Sequence, residues 1–78
     1  MEIGSVVKAL AGRDCGRYFV IVETHERFVM IADGVTRKLQ KPKKKNIRHL
    51  ESTCKKLKLD NLSNKKLKIV LGEMSGTP

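Results

Sequence analysis

Residues 18–32 read Tyr-Phe-Val-Ile-Val-Glu-Thr-His-Glu-Arg-Phe-Val-Met-Ile-Ala, and this stretch decides the fold. Its two apolar runs, residues 18–22 and 28–32, are rich in the aromatic and β-branched side chains that are typical of strands. The polar connection between them favours an antiparallel hairpin. Because the first run is continuously apolar and does not alternate with polar residues, both faces of its strand are expected to be covered.

Upstream of this hairpin, one more strand is expected. Residues 3–10 contain short and β-branched side chains next to a glycine and predict the first strand. Residues 11–16 follow, and their two glycines and one aspartate are typical of a turn.

Downstream, the pattern is less regular. Asp33-Gly34 predicts a two-residue hairpin turn, since both residues tolerate positive φ. Residues 35–39 alternate apolar and polar side chains and predict a half-exposed strand, and residues 47–50 predict a brief fifth strand. Residues 40–46 are polar and include a proline, so we expect an extended loop there. Four or five short strands separated by turns indicate a small barrel or sandwich.

The hydrophobic period changes near the C-terminus. Leu67, Val70, Leu71 and Met74 stand at i, i+3, i+4 and i+7, which predicts one face of a helix. Ser63 or Asn61 is suited to cap its start, and Gly72 is suited to end it early. Lysines 65, 66 and 68 fall on the opposite face. The apolar stripe fits packing onto the strands, which we favour, or binding of a partner.

Charge is distributed very unevenly along the 78 residues. The net charge is +9. Residues 1–36 carry a net charge of −1, residues 37–68 carry +11, and Glu73 adds the remaining −1. So many like charges in one segment favour a negatively charged partner, which is nucleic acid, an anionic membrane surface or an acidic protein. A membrane-binding helix would be expected to carry Trp or Phe, but the chain has no Trp and both Phe residues lie in the first half. Nucleic acid is therefore the favoured partner, and a basic surface that only aids solubility is the alternative.

Enzymatic chemistry is not indicated. Neither histidine stands in a catalytic motif, and the Gly72–Thr77 segment lacks the Gly-Lys-Ser/Thr ending of a phosphate-binding loop. Cys15, His25, His49 and Cys54 are possible zinc ligands by type, but they do not form the close pairs of structural zinc sites. We expect no cofactor, no metal and no small-molecule substrate. With no signal peptide and no membrane-spanning run, the predicted location is the cytoplasm, where both thiols would be reduced.

The basic run is the candidate binding site. Seven cations lie within residues 37–48, and only three aromatic residues occur in the whole chain, none of them in this run. Lysines make point-charge contacts with phosphates, and arginines can add bidentate contacts. Without aromatic residues in the run, recognition of single strands by base stacking is disfavoured, and structured RNA recognised through its backbone and shape is favoured.

The order of these residues resembles a known family. Residues 3–22, with Gly4, Gly12, Asp14, Gly16 and Arg17 before the apolar strand, resemble a KOW motif. The continuation through Asp33-Gly34, Arg37-Lys38, residues 42–45 and His49-Leu50 is similar to small bacterial KOW-domain RNA-binding proteins. Those proteins are themselves similar to large-subunit ribosomal proteins of archaea and eukaryotes. The resemblance covers residues 3–53.

This resemblance implies an SH3-like β-barrel of about five strands that binds ribosomal or other structured RNA and is a monomer when free. It implies a barrel, which we place over residues 1–53. The residues after it have no counterpart in the family, and the sequence pattern itself predicts a basic extension with the amphipathic helix over residues 54–74 and a flexible tail over residues 75–78. A transcription-linked factor that contacts polymerase or DNA, or an SH3-like peptide-binding module, remains the alternative. The predicted RNA-binding residues are Arg13, Arg17, Arg37, Lys38, Lys41, Lys43, Lys44, Lys45, Arg48 and His49.

Overall fold

The computed structural model describes residues 1–74 and shows five strands followed by one helix. All neighbouring strands are antiparallel, and their order in the single sheet is β4-β3-β2-β1-β5. The mainly β fold with five strands and a C-terminal helix is thereby confirmed. The elements are β1 Ser5–Ala9, β2 Tyr18–Thr24, β3 Phe28–Ala32, β4 Lys43–Asn46, a 3₁₀ turn Ile47–His49, β5 Leu50–Lys56 and α1 Asn64–Met74.

The sheet is strongly curved. Its outer strands, β4 and β5, follow one another in the chain and are joined only by the three-residue 3₁₀ turn. The step from Asn46 to Leu50 spans at most about 14 Å, whereas the outer strands of a flat five-stranded sheet would lie about 19 Å apart. The two edges therefore approach one another at this turn, where the Leu10 N–H donates to the His49 carbonyl at 2.8 Å.

Both faces of β2 are buried, as its continuously apolar sequence predicts. On one face Phe19 and Ile21 pack with Val7, Val29 and Ile31 in the interior of the curved sheet. On the other face Val20 packs with Val6, Ala32 and two leucines of α1. The two clusters use alternate residues of the same strands, so one short strand supports both cores.

Helix α1 covers the outer face of the sheet. Leu67 and Leu71 are buried against Val6, Val20 and Ala32, which confirms that the apolar stripe packs onto the strands. The Ser63 hydroxyl accepts a hydrogen bond from the Lys66 N–H at 3.1 Å, as expected of an N-cap. The helix continues through Gly72 to Met74, so the early end predicted at this glycine is wrong.

The predicted hairpin turn and strand at residues 33–39 are wrong, because the Asp33 carboxylate organises a different turn. Its Oδ1 accepts hydrogen bonds from the N–H groups of Val35 and Arg37 at 2.9 and 2.8 Å, and its Oδ2 accepts one from the Thr36 hydroxyl at 2.7 Å. The backbone closes the same turn, since the N–H groups of Asp33 and Gly34 both donate to the Arg37 carbonyl. Side-chain bonds of this kind compete with strand pairing.

The loop predicted over residues 40–46 is also wrong in its second half. Residues 43–46 form β4, which pairs with β3 from Ile31–Lys43 to Phe28–Asn46. Lysine-rich segments are tolerated at a sheet edge, where only one side of the strand is paired. Pro42 lies just before the strand and so costs no ladder hydrogen bond.

The brief strand predicted at residues 47–50 is replaced by the 3₁₀ turn at residues 47–49. β5 begins at Leu50 and runs to Lys56, across the boundary predicted after residue 53. The predicted tail, residues 75–78, lies outside the part of the chain that the structure describes.

Candidate nucleic-acid interface

Most of the positive charge is not neutralised within the protein. Of the seventeen Lys and Arg residues, only Arg17, Lys43 and Lys56 lie within ion-pair distance of a carboxylate in residues 1–74. The other fourteen have no such partner in this described part of the chain. A surface with so many unmatched cations attracts polyanions over a range of several ångströms.

Five of the predicted RNA-binding residues lie at one end of the sheet. The loops between β1 and β2 and between β3 and β4 both leave this end, because the four strands are antiparallel neighbours. We call the resulting patch the loop surface, and all five of its side chains are exposed. It consists of Arg13, Arg17, Arg37, Lys38 and Lys41.

The carboxylates of Asp33 and Asp14 hold the two loops that carry the loop surface, Asp33 in the β3–β4 loop and Asp14 in the β1–β2 loop. Burial raises the pKa of the Asp33 carboxyl, but the hydrogen bonds from Arg37, Val35 and Thr36 and the nearby Arg17 charge outweigh it, so the pKa lies below its ordinary value. Asp33 thus stays ionised and holds the backbone from which Arg37 projects. The Leu39 N–H donates to Asn64 Oδ1 at 2.8 Å, which ties the same loop to the start of α1.

Two lysines of β4 hold the other loop instead of projecting freely. Lys43 Nζ lies 3.0 Å from Asp14 Oδ2, and this hydrogen bond together with the lysine charge lowers the pKa of Asp14 despite its partial burial. Lys45 Nζ donates to the Ala11 carbonyl at 3.2 Å. Both side chains are half-buried. Their charges orient the β1–β2 loop, which carries Arg13 and Arg17.

Lys44 points to the opposite face of β4, as expected of alternating side chains. Its ammonium lies 4.4 Å from the centre of the Phe28 ring. The His25 ring stacks on the same phenylalanine at a centroid distance of 4.4 Å and an angle of 17°. An aromatic pair therefore lies beside the basic strand, although no aromatic residue occurs within the basic run.

A groove runs along the β2–β3 hairpin at the end of the sheet opposite the loops. Two adjoining depressions of about 420 and 480 Å³ form it and share Glu26, Arg27 and Asn46. We call this feature the hairpin groove. Its remaining lining residues are Phe28, Lys44, Ile47 and Arg48.

The ten predicted RNA-binding residues are therefore not one surface. Five form the loop surface, and Lys43 and Lys45 donate hydrogen bonds to the β1–β2 loop that carries two of these five. Lys44 and Arg48 line the hairpin groove. His49 is exposed on the 3₁₀ turn, and its carbonyl binds the start of the β1–β2 loop.

Sequence reasoning missed Arg27, Phe28 and Asn46 as candidate site residues. The signal that would have found them is the pairing of the basic segment with β3, which sets Phe28 opposite Asn46 and Met30 opposite Lys44. The sequence does not predict that pairing, because a polar segment that follows a proline is typical of a loop.

Other kinds of site find no support in residues 1–74. No group of three or more His, Cys, Asp or Glu side chains is placed to hold a metal ion in this part of the chain. No helix among the same residues is long and apolar enough to cross a membrane. A comparison with models of known protein families finds no match to this chain.

Proposed function

We propose that this protein binds structured RNA through the loop surface, and that the RNA is ribosomal RNA of the large subunit. The observation that carries the proposal is the unmatched charge, fourteen Lys and Arg residues without a carboxylate partner among residues 1–74. Four of the fourteen, Arg13, Arg37, Lys38 and Lys41, project from two adjacent loops whose backbones are held by Asp14 and Asp33.

The loop surface is suited to the phosphate groups of a nucleic-acid backbone. Each phosphate that a Lys or Arg neutralises releases condensed counterions, so affinity comes mainly from charge and depends steeply on salt. Arginines 13, 17 and 37 add donors that can hold a phosphate oxygen pair in one orientation. Recognition of this kind depends on the shape of a folded RNA.

The choice of ribosomal RNA rests on the resemblance to KOW-domain proteins of residues 3–53. The proposal accordingly makes the protein a cytoplasmic binding protein without catalytic activity. A transcription-linked factor and a peptide-binding module are the competing functions. A peptide-binding module would need a groove lined with several aromatic residues, but the hairpin groove contains one, Phe28.

Co-sedimentation with ribosomes tests this proposal. The protein, mixed with a lysate of its own cells, is centrifuged at low and at high salt, and ribosomal fractions are probed for it. We expect it in the large-subunit fraction at about 50 mM salt and its partial release at about 200 mM, since phosphate contacts weaken over this range. Its recovery in the soluble fraction under both conditions would contradict the ribosomal assignment.

A further inference from the structure

The hairpin groove differs in character from the loop surface. It is lined by an aromatic ring, hydrogen-bond donors and one carboxylate, whereas the loop surface consists of five cations. Its two open depressions, of about 420 and 480 Å³, have room for a small planar group. The chemistry of the groove therefore points to more than a phosphate.

The Phe28 ring is available as a stacking platform. His25 covers one face of the ring in a parallel stack, and the imidazole is held there by a 2.5 Å hydrogen bond to Glu23 Oε1. The Lys44 ammonium also lies over the ring, 4.4 Å from its centre, and lines the groove together with Phe28. Lys44 is exposed and its cation–π contact contributes only about 0.5–1 kcal/mol, so a planar group can displace the ammonium and stack on the ring.

Asn46 presents a fixed hydrogen-bond donor. Its Oδ1 accepts from the Arg48 N–H at 2.9 Å, and because a backbone N–H requires an oxygen, this bond sets the orientation of the amide. The Nδ2 group has no partner among residues 1–74 and remains available on the groove wall. Arg27 and Arg48 add guanidinium donors on the same wall.

Glu26 decides which planar group fits. It lines both depressions yet forms no ion pair with a described Lys or Arg, although Arg27, Lys44 and Arg48 line the same groove. An uncompensated carboxylate repels a phosphate but accepts hydrogen bonds from the N1–H and N2–H groups of guanine. Arginine, in turn, donates to O6 and N7 of the same base. Adenine has no donor at N1 and none at C2.

We propose that the hairpin groove binds an unpaired guanosine of an RNA, with the base stacked on Phe28, its Watson–Crick edge at Glu26 and its phosphate near Lys44. This inference rests on the proposed RNA-binding function and extends it. The loop surface supplies affinity for the RNA backbone, and the groove at the other end of the sheet supplies a preference for one base.

The test uses three RNA hairpins that share one stem and carry a bulged guanosine, a bulged adenosine or no bulge. We expect the unaltered 78-residue chain to bind the guanosine bulge about ten-fold more tightly than the adenosine bulge. Glu26→Gln should reduce this preference to near zero, because its amide offers one acceptor oxygen in place of two and sets its NH₂ donor against one of the two guanine N–H donors. The matched control is Glu51→Gln, which removes an exposed carboxylate outside the groove and should retain the preference.

A second variant addresses stacking. Phe28→Leu keeps an apolar side chain at this half-buried position but removes the ring, and an unfolding curve of the variant is recorded first to check that it folds. We expect its affinity for both bulged hairpins to fall to that for the unbulged hairpin, since stacking on an aromatic side chain is lost.

The outcomes separate the two proposals. Equal binding of the three hairpins by the unaltered protein, or an equal loss of preference in Glu26→Gln and Glu51→Gln, would overturn the guanosine site and leave RNA binding intact. Free guanosine monophosphate is the further arm, and binding as tight as that of the bulged hairpin would overturn the assignment of the groove to a guanosine of RNA. Failure to bind any RNA, ribosomal RNA included, would overturn the proposed function itself.

Discussion

Asp33 is the residue on which the β3–β4 connection depends. It is the one polar residue buried within residues 1–74, at 8% exposure, and its carboxylate oxygens accept three hydrogen bonds within the turn that follows. A hydrogen-bonded carboxylate at low exposure stabilises the fold only while it is ionised.

Replacement of Asp33 is expected to lower stability in a pH-dependent way. Asp33→Ala should reduce the free energy of unfolding by about 1–3 kcal/mol at neutral pH, because three donors lose their acceptor. Since the pKa of Asp33 is lowered in the folded state, its contribution is complete above the ordinary aspartate pKa and is lost as the pH falls through the folded-state value. Urea unfolding of the wild type and of Asp33→Ala, at pH 7 and at about pH 2.5, measures the stability difference between them, which should be smaller at the lower pH. An equal difference between variant and wild type at both pH values would contradict it.

Gly34 allows the close approach of α1 to this turn. Its φ is +81°, and a Cβ at this position would collide with the backbone carbonyl of Asn64. Gly16 is a matched control, because its φ is +88° but a Cβ there meets no atom within 4 Å.

The two glycines are therefore expected to differ in their response to alanine. Gly16→Ala should cost about 1–2 kcal/mol, the penalty for a left-handed conformation alone, and Gly34→Ala should cost clearly more because the start of α1 must move. Thermal or urea unfolding of both variants checks this. Equal losses of stability would mean that the start of α1 relaxes freely away from the turn.

At the scale of the elements, the three lysines of β4 contact two different parts of the protein. Lys43 and Lys45 face the β1–β2 loop and Lys44 faces Phe28, so neighbouring lysines have different roles. The pKa of Asp14 reveals whether Lys43 contacts the β1–β2 loop, because the hydrogen bond from Lys43 is the main cause of the lowered pKa.

Lys43→Ala and Lys44→Ala are thus a matched pair with the same change in charge. Lys43→Ala should raise the pKa of Asp14 toward its ordinary value and reduce stability by about 1 kcal/mol. Lys44→Ala should leave that pKa near its wild-type value and weaken binding to RNA instead. NMR titration of the Asp14 carboxyl carbon distinguishes the two. A similar pKa of Asp14 in both variants would show that Lys43 does not hold the loop.

The same elements show what the sequence could predict. β2, β3 and α1 follow from apolar residues at strand or helix spacing, because burying those side chains is what stabilises each element. β4 could not be predicted in this way, since its lysines bury little and its existence depends on an open edge of β3. The turn at Asp33 was missed for another reason, since its carboxylate bonds the N–H groups of Val35 and Arg37 in a local pattern that competes with strand formation.

For the candidate site, the sequence identifies the cations but not their arrangement. Arg37, Lys38 and Lys41 are exposed, as a run of charge predicts, but the first two lie in a loop where a strand was expected. The division of residues 43–45 between two faces, and the nearness of Phe28 to Lys44, follow only from the register of β4 on β3.

At the scale of the whole molecule, the net charge of +9 opposes the compact state. The fourteen unmatched cations lie within a structure whose longest dimension is 30 Å, so many of them are within a few screening lengths of one another. Like-charge repulsion of this kind is reduced by salt.

The free protein should therefore become more stable as salt is added. We expect Tm to rise between about 50 and 200 mM sodium chloride, because screening weakens the repulsion, while affinity for RNA falls over the same range. Differential scanning calorimetry at several salt concentrations measures the first trend. A falling Tm would show that attractive ion pairs, such as that of Lys43 with Asp14, dominate the charge balance.

The most direct test of the central claim compares two triple variants that each remove three positive charges. One replaces Arg37, Lys38 and Lys41 of the loop surface with alanine, and the other replaces Lys65, Lys66 and Lys68 on the exposed side of α1. Affinity for large-subunit ribosomal RNA is measured by filter binding at several salt concentrations. On a duplex, the slope of log K against log salt changes by about 0.9 for each phosphate that the protein no longer neutralises. We predict a slope shallower by about two to three for the loop-surface variant and by less than about one for the helix variant. Equal changes in the two variants, or none in the first, would contradict binding through the loop surface.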